Sequence, residues 1–339
     1  AAVDRQAVSS AIDEYAATHD IDPTGARLRI DNGNVTTIAA GSPGKVTDRA
    51  AALDLIASEL DARAVGTAAK ARISLPAKAI TSDISAATVS KLGIKELIGK
   101  ATTDFSGSPK NRQHNIATGI SFLTGIVVKP GEEFSTNAAI GQVDGSTGYL
   151  PELVIKENKT TPEFGGGLCQ VSTTLFRSVM NAGLPVTERQ NHSYRVTYYE
   201  RGVGPGLDAT IYAPHPDFRF KNDTPGAVLV QGYVEGTKAT FEIYGTKDSR
   251  SSQIIGPTTL ATYPPPDPIK TETNTLARGV EKQTETAHPG AKTTATYVVT
   301  RDGKEINRQV FNSYYKPWPA QFLVGTNDSL AGAVAPPAQ

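Results

Sequence analysis

Cysteine, methionine and tryptophan each occur once in the chain. A single cysteine excludes an intrachain disulfide, so the fold is not a small secreted scaffold held by cross-links. An excess of either charge is lacking too. The 34 basic and 34 acidic side chains cancel, which excludes a polyelectrolyte and argues against nucleic acid as a partner, because phosphate binding calls for excess Lys and Arg. No run approaches the ~20 apolar residues that cross a bilayer, and the opening Ala1-Ala2-Val3-Asp4 lacks the apolar core of a signal peptide. What is plentiful is Gly and Pro, which punctuate Thr-rich stretches. Together with the few oxidisable residues, this leans towards an extracellular, β-rich protein.

The length of 339 residues exceeds one ordinary core, so two or three domains are expected. Residues 1–88 read as a small α+β domain. Ala7, Ile12 and Tyr15 share a helical face, and strands over 27–30 and 35–38 flank the turn Asp31-Asn32-Gly33-Asn34. A helix over 48–60 follows, with Thr47 as its N-cap. Residues 100–248 form a central α+β domain, in which a helix over 110–123 places Ile116, Ile120 and Leu123 on one side and stops at Gly125. Tyr263-Pro264-Pro265-Pro266-Asp267-Pro268 reads as a stiff spacer. Residues 264–326 read as a small all-β module, with strands over 292–300 and 305–314 around Asp302-Gly303. That module is expected to add no member to a chemical site. Residues 327–339 read as a flexible tail. The fold class is therefore multidomain α+β, with a cysteine-bearing helix packed on antiparallel strands at its centre.

The chemistry concentrates in Gly165-Gly166-Gly167-Leu168-Cys169-Gln170-Val171-Ser172. Three glycines allow a tight loop. The helix after it carries Val171, Leu175 and Val179 on one face and ends at Gly183 and Pro185. Cys169 thus stands at a helix start, where free N–H groups and the helix dipole favour a thiolate. The N–H groups of Cys169 and Gln170 would hold an oxyanion, in a surface that includes Gly166, Gly167, Ser172 and Tyr194. Of five histidines, His192 lies downstream of this helix in the same domain and leads into the alternating segment 194–198, so it is the expected base. Asp208 is the candidate to orient it. A hairpin between segments 194–199 and 208–212 would put Asp208 some 20 Å from His192 at ~3.3 Å per residue, so that role requires an earlier turn. Arg189, Arg195 or Arg112 would meet a substrate carboxylate. The plainer readings are a buried, inert cysteine and surface arginines. No Gly-Lys-Ser/Thr follows the glycines, which argues against a phosphate loop. Cys169, His192, Asp208 and His215 lack the close ligand pair of a zinc site, and no metal or organic cofactor is required.

The central domain resembles the VanW family, in 165–175, in Glu188-Arg189 with His192-Ser193-Tyr194, in Asp208-Ala209-Thr210, in 130–135 and in Phe220-Lys221-Asn222. Residues 1–88 are similar to a peptidoglycan-binding-type domain. Residues 264–326, with Lys316-Pro317-Trp318-Pro319 near their end, resemble the five-glycine surface module of wall-associated proteins. The resemblance implies a bacterial ectodomain facing the cell wall, its membrane anchor upstream, related to antibiotic resistance, with peptidoglycan stem peptides and glycan as partners. It also implies an L,D-transpeptidase that works through a cysteine acyl-enzyme. A thiol peptidase, carboxypeptidase or amidase on the same polymer remains open, as does a non-catalytic wall-binding protein in which Cys169 merely packs.

Overall fold

The computed structural model describes residues 3–67, 70, 72–156 and 159–330, so 331–339 of the expected tail lie outside the described residues. Contacts divide the chain into two compact units, Ala1–Leu92 with Gly125–Val127 and Gly93–Thr124 with Val128–Gln339. The architecture is multidomain α+β. No helix among the described residues is long and apolar enough to cross a membrane.

In the first unit, helices α1 (Arg5–His19) and α2 (Arg49–Ala64) pack together, and Arg27–Asp31 and Asn34–Ala39 form a hairpin. The turn places Asn32 and Gly33 at φ 49° and 78°, which is why Asn-Gly stands there. The buried face of α1 is Ile12 with Ala16, one turn on; Tyr15 lies outside it and stacks on His19. Asp48, not Thr47, caps α2. Thr47 closes the strand Gly44–Thr47, where its N–H and hydroxyl both donate to Asp20 at 2.7 Å.

The second unit holds α3 (Lys110–Leu123), α4 (Thr136–Ile140), α5 (Leu168–Asn181) and α6 (Thr197–Glu200). Helix α5 is its centre. Apart from Cys169, every residue from Leu168 to Met180 is buried, so its polar side chains must find partners inside the protein. Ser172 and Thr173 donate to the Ala209 carbonyl, and Thr174 bonds Thr103. The helix lies on an antiparallel sheet that includes Glu96–Asp104, Lys238–Gly245 and Val228–Glu235. Gly99 permits the close approach: a Cβ there would sit 2.5 Å from the Ala182 nitrogen.

The C-terminal strands belong to this same unit. Arg250–Tyr263 pairs with Gly290–Arg301, which pairs with Lys304–Tyr315; Ile269–Ala277, Gln321–Asn327 and Glu281–Glu285 make a second sheet. Residues 264–268 therefore link two sheets of the β module and are not a spacer in front of it. The module starts earlier, at Arg250, whose guanidinium donates to the Gly183 carbonyl and pairs with Asp223 and Asp248, each at 2.7 Å. The Tyr297 hydroxyl donates to Leu184 O at 3.0 Å, and Phe311 meets Phe176 edge-on at 5.4 Å.

Candidate active site

Gly167 caps α5 at φ 116° without a side chain to bond the helix. A Cβ there would lie 2.9 Å from Ile116 and 3.1 Å from the Arg112 carbonyl, so the glycine lets the loop press on α3. Gly166 is buried, with its carbonyl accepting from Asn115 at 3.2 Å. Both glycines thus serve loop packing. Cys169 follows in the first turn of α5 and is half-buried. Its N–H has no partner inside the helix. The Gln170 N–H donates instead to Gly167 O at 2.9 Å. The expected pair of oxyanion donors is therefore reduced to the Cys169 N–H and the helix dipole.

His192 and Asp208 are side by side. His192 Nδ1 lies 2.5 Å from Asp208 Oδ2, which also accepts the His192 N–H at 2.8 Å. The feared 20 Å separation does not arise, because 194–199 is not a strand. The chain turns into α6, and the Thr210 N–H donates to Gln190 O at 2.8 Å, drawing segment 208–210 back along 190–192. The other carboxylate oxygen, Oδ1, accepts from the Tyr315 hydroxyl at 2.5 Å and from Arg189 Nη2 at 3.2 Å. The remaining face of the arrangement is aromatic: Tyr199 stacks on the imidazole at 4.6 Å. The imidazole acts electrostatically on the Cys169 thiol, whose Sγ lies 3.7 Å from the Ile211 carbonyl oxygen.

Electrostatics follow from these contacts. Burial pushes the Cys169 thiol up, but the neighbouring His192 imidazole, with the Ile211 backbone and the Arg112 charge, brings it below its ordinary value. Burial works against protonated His192, and its bond to Asp208 with the influence of Cys169 overcomes that and raises it to about 9. Burial likewise opposes the Asp208 charge, while His192, Arg189 and Tyr315 hold it well below the usual carboxylate range. Lowered thiol and raised imidazole together favour a thiolate–imidazolium pair at neutral pH. Removing the charge behind the imidazole tests this. In Asp208→Asn, His192 loses its proton at lower pH and no longer supports the thiolate. Alkylation of Cys169 by iodoacetamide is expected to be about tenfold or more slower at pH 7, with its midpoint at higher pH. An unchanged pH profile would show that the aspartate does not govern the pair.

The other expected residues sit elsewhere. The Arg189 side chain is buried and engaged at every nitrogen. It donates to the carbonyls of Asp208 (2.6 Å) and Gly206 (2.9 Å) and to Ser313 (2.9 Å), between the rings of Phe176 and Phe311. It therefore builds the aspartate's surroundings and is not available to a substrate carboxylate. The buried Ser172 hydroxyl faces Ala209 O, and Tyr194 packs against His288 and Trp318, so neither lines a substrate surface. Gln170 is buried, holding Arg112 and Thr103. Arg195 is paired with Glu200 at 2.7 Å. His215 is exposed beside Glu188. Arg112 alone among the arginines considered acts on the thiol, and it lies 4.6 Å from the Tyr198 ring centroid. Tyr315 and Ser313 were missed because the β module was expected to contribute nothing. Their only signal is position on the Lys304–Tyr315 strand, which says nothing of what it packs against.

Fold and site together define a multidomain α+β protein with a half-buried thiol at a helix start, near a buried histidine–aspartate pair. Residues 111–244 match the family described as "VanW like protein", residues 258–327 the "G5 domain" and residues 1–67 the "Putative peptidoglycan binding domain". The chain thus carries a VanW domain between a peptidoglycan-binding-type domain and a G5 domain. It is 33% identical over 175 residues to "Uncharacterized protein YoaR" of Bacillus subtilis (strain 168), which covers 52% of this chain and 56% of that protein. It is 27% identical over 144 residues to "Vancomycin B-type resistance protein VanW" of Enterococcus faecalis (strain ATCC 700802 / V583), which covers 42% and 52%. The chain spans about half the length of these curated relatives. Among solved structures, "IgA1 Protease G5 domain structure" aligns at 19% identity with a TM-score of 0.16, covering 24% of this chain and 99% of that one.

Proposed function

We propose that this chain is an extracellular, cell-wall-associated enzyme that remodels peptidoglycan as an L,D-transpeptidase, with Cys169 as nucleophile, His192 as acid and base, and Asp208 as the group that orients and charges His192. The observation that carries the reading is an imidazole anchored on a buried carboxylate, whose charge lowers the Cys169 thiol. The VanW domain, a relative named for vancomycin resistance and a flanking peptidoglycan-binding-type domain support the wall as the place of action.

The Cys169 thiolate attacks the carbonyl of the residue before a terminal D-alanine. The developing oxyanion meets the Cys169 N–H and the positive end of α5. Protonated His192 gives its proton to the leaving amine, D-alanine departs, and a thioester remains on a neutral imidazole's side. An acceptor amine then attacks the thioester, His192 takes its proton, and the thiolate leaves. This restores the ion pair and forms a new amide.

The test is intact-mass analysis of the full chain incubated with a purified tetrapeptide-stem muropeptide. The expected product is an adduct on Cys169 lacking D-alanine, followed by a cross-linked dimer when acceptor stems are added. An acceptor amine held in place outcompetes water through its effective concentration. Free tripeptide alone, with acceptor abundant, would make the chain a carboxypeptidase. No adduct on a folded chain would favour the wall-binding reading.

A further inference from the structure

Arg177 is a cation whose burial its own partners do not balance. It stands two turns beyond Cys169 on α5, with 8% of its surface exposed. Its bonds are to main-chain carbonyls: Nε donates to Leu207 O at 2.8 Å and Nη2 to Tyr199 O at 2.5 Å. Among the described residues no carboxylate pairs with it, and Nη1 has no protein partner. A buried charge without a counter-charge is costly unless something completes its shell; here burial pulls the guanidinium down to about 10, with Asp208 at a distance restoring part of it.

The Arg177 side chain borders a cavity of about 210 Å³. Arg201 and Lys238 border it as well, and the one carboxylate in its wall is Asp104. Among the described residues Lys238 has no ion pair, and Arg201 donates to the Ser106 hydroxyl at 3.0 Å. The cavity therefore carries more positive than negative charge. Tyr198 forms part of the wall and lies between two cations, Arg201 at 5.2 Å and Arg112 at 4.6 Å from its ring. Arg112 is the cation that acts on Cys169, so one aromatic ring separates the cavity from the surroundings of the thiol. Along α5, eight residues at ~1.5 Å each place Arg177 about 12 Å from Cys169, within reach of a short extended peptide at ~3.3 Å per residue.

We propose that this cavity is a carboxylate-binding subsite, in which Arg177 Nη1, Arg201 and Lys238 hold an acidic group of the peptide whose carbonyl lies at Cys169. The identity of that peptide rests on the proposed function. On a stem peptide, the matching group is the α-carboxylate of the γ-linked glutamyl residue. Arginine and lysine meeting one carboxylate give charge-assisted bonds that a neutral amide does not reproduce.

The experiment is calorimetric titration of the full chain with L-alanyl-γ-D-glutamyl-L-lysine and with the same tripeptide carrying an α-carboxamide on the glutamyl residue. The carboxylate form is expected to bind at least about tenfold more tightly, with an advantage that shrinks as salt is added. Lys238→Ala and Arg201→Gln change exposed side chains, and each is expected to erase most of the difference. Equal binding of the two peptides, no binding of the carboxylate form at millimolar concentration, or a difference that survives both variants would overturn the subsite. Because binding is read without turnover, the subsite and the reaction fail separately. Discrimination without an acyl adduct would keep the subsite and sink the transpeptidase, whereas an adduct without discrimination would do the reverse.

Discussion

Cys169→Ala is expected to abolish the acyl adduct and to lower turnover of tetrapeptide stems by roughly 10⁴-fold or more, the scale seen when a covalent nucleophile is lost. The fold should persist. Cys169 is half-buried at the first turn of α5, so replacing its sulfur by hydrogen opens little space, and a stability change within about 1 kcal/mol is expected. His192→Ala should be nearly as damaging to turnover, but it is a poorer test. It removes one partner of a buried carboxylate that Arg189 and Tyr315 still hold and a ring stacked on Tyr199, so a loss of stability would be mixed with the loss of chemistry. His192→Gln, which keeps much of the volume, separates chemistry from folding when melting temperature is measured beside activity. Turnover by Cys169→Ala equal to that of the parent chain would end the nucleophile assignment.

A chain ending at Ser249 is expected to lose all turnover, and most of its folded fraction with it. The sequence suggested that the β module adds no member to the site. The packing shows what removal would strip: the edge of Phe311 on Phe176, the Tyr297 bond to Leu184, the Ser313 acceptor for Arg189 and the Tyr315 donor to Asp208. Trp318 and His288 would also leave Tyr194, two residues from His192. Tyr315→Phe isolates the electrostatic part, since it keeps the ring and removes one hydroxyl. A hydrogen bond to a charged acceptor is worth about 1.5–3 kcal/mol. If that stabilisation is expressed in the reaction, turnover falls about tenfold or more, with the acid limb of the pH–rate profile moving to higher pH as Asp208 becomes easier to protonate. Full activity in the shortened chain would show that the module only rides along, and an unchanged acid limb in Tyr315→Phe would remove the tyrosine from the site.

Local structure was legible wherever a few neighbouring residues decide the backbone. Asn32-Gly33 and Asp302-Gly303 adopt the positive φ values that only such pairs tolerate well. Helix α5 begins just after the glycines, and Gly183 at φ 74° follows its end. Cys169 at a helix start was therefore readable from residues within one turn of it. The alternation at 194–198 misled for the same reason. An apolar-polar alternation suits a strand, but Tyr194 is buried by His288 and Trp318, about a hundred residues downstream, and the chain is free to turn into α6. Arg189 shows the limit most plainly. A sequence cannot distinguish a surface arginine from one enclosed between Phe176 and Phe311, because those rings come from different strands and helices. By itself the sequence determined the cysteine, its helix and the histidine that follows, since caps, turns and glycines act over three or four residues. Only the tertiary structure decided which charges face one another: that Asp208 returns to His192, that Arg189 is spent on Asp208, and that Tyr315 reaches them from the β module. Burial and hydrogen bonding between distant segments set those contacts, and through them the protonation of the thiol.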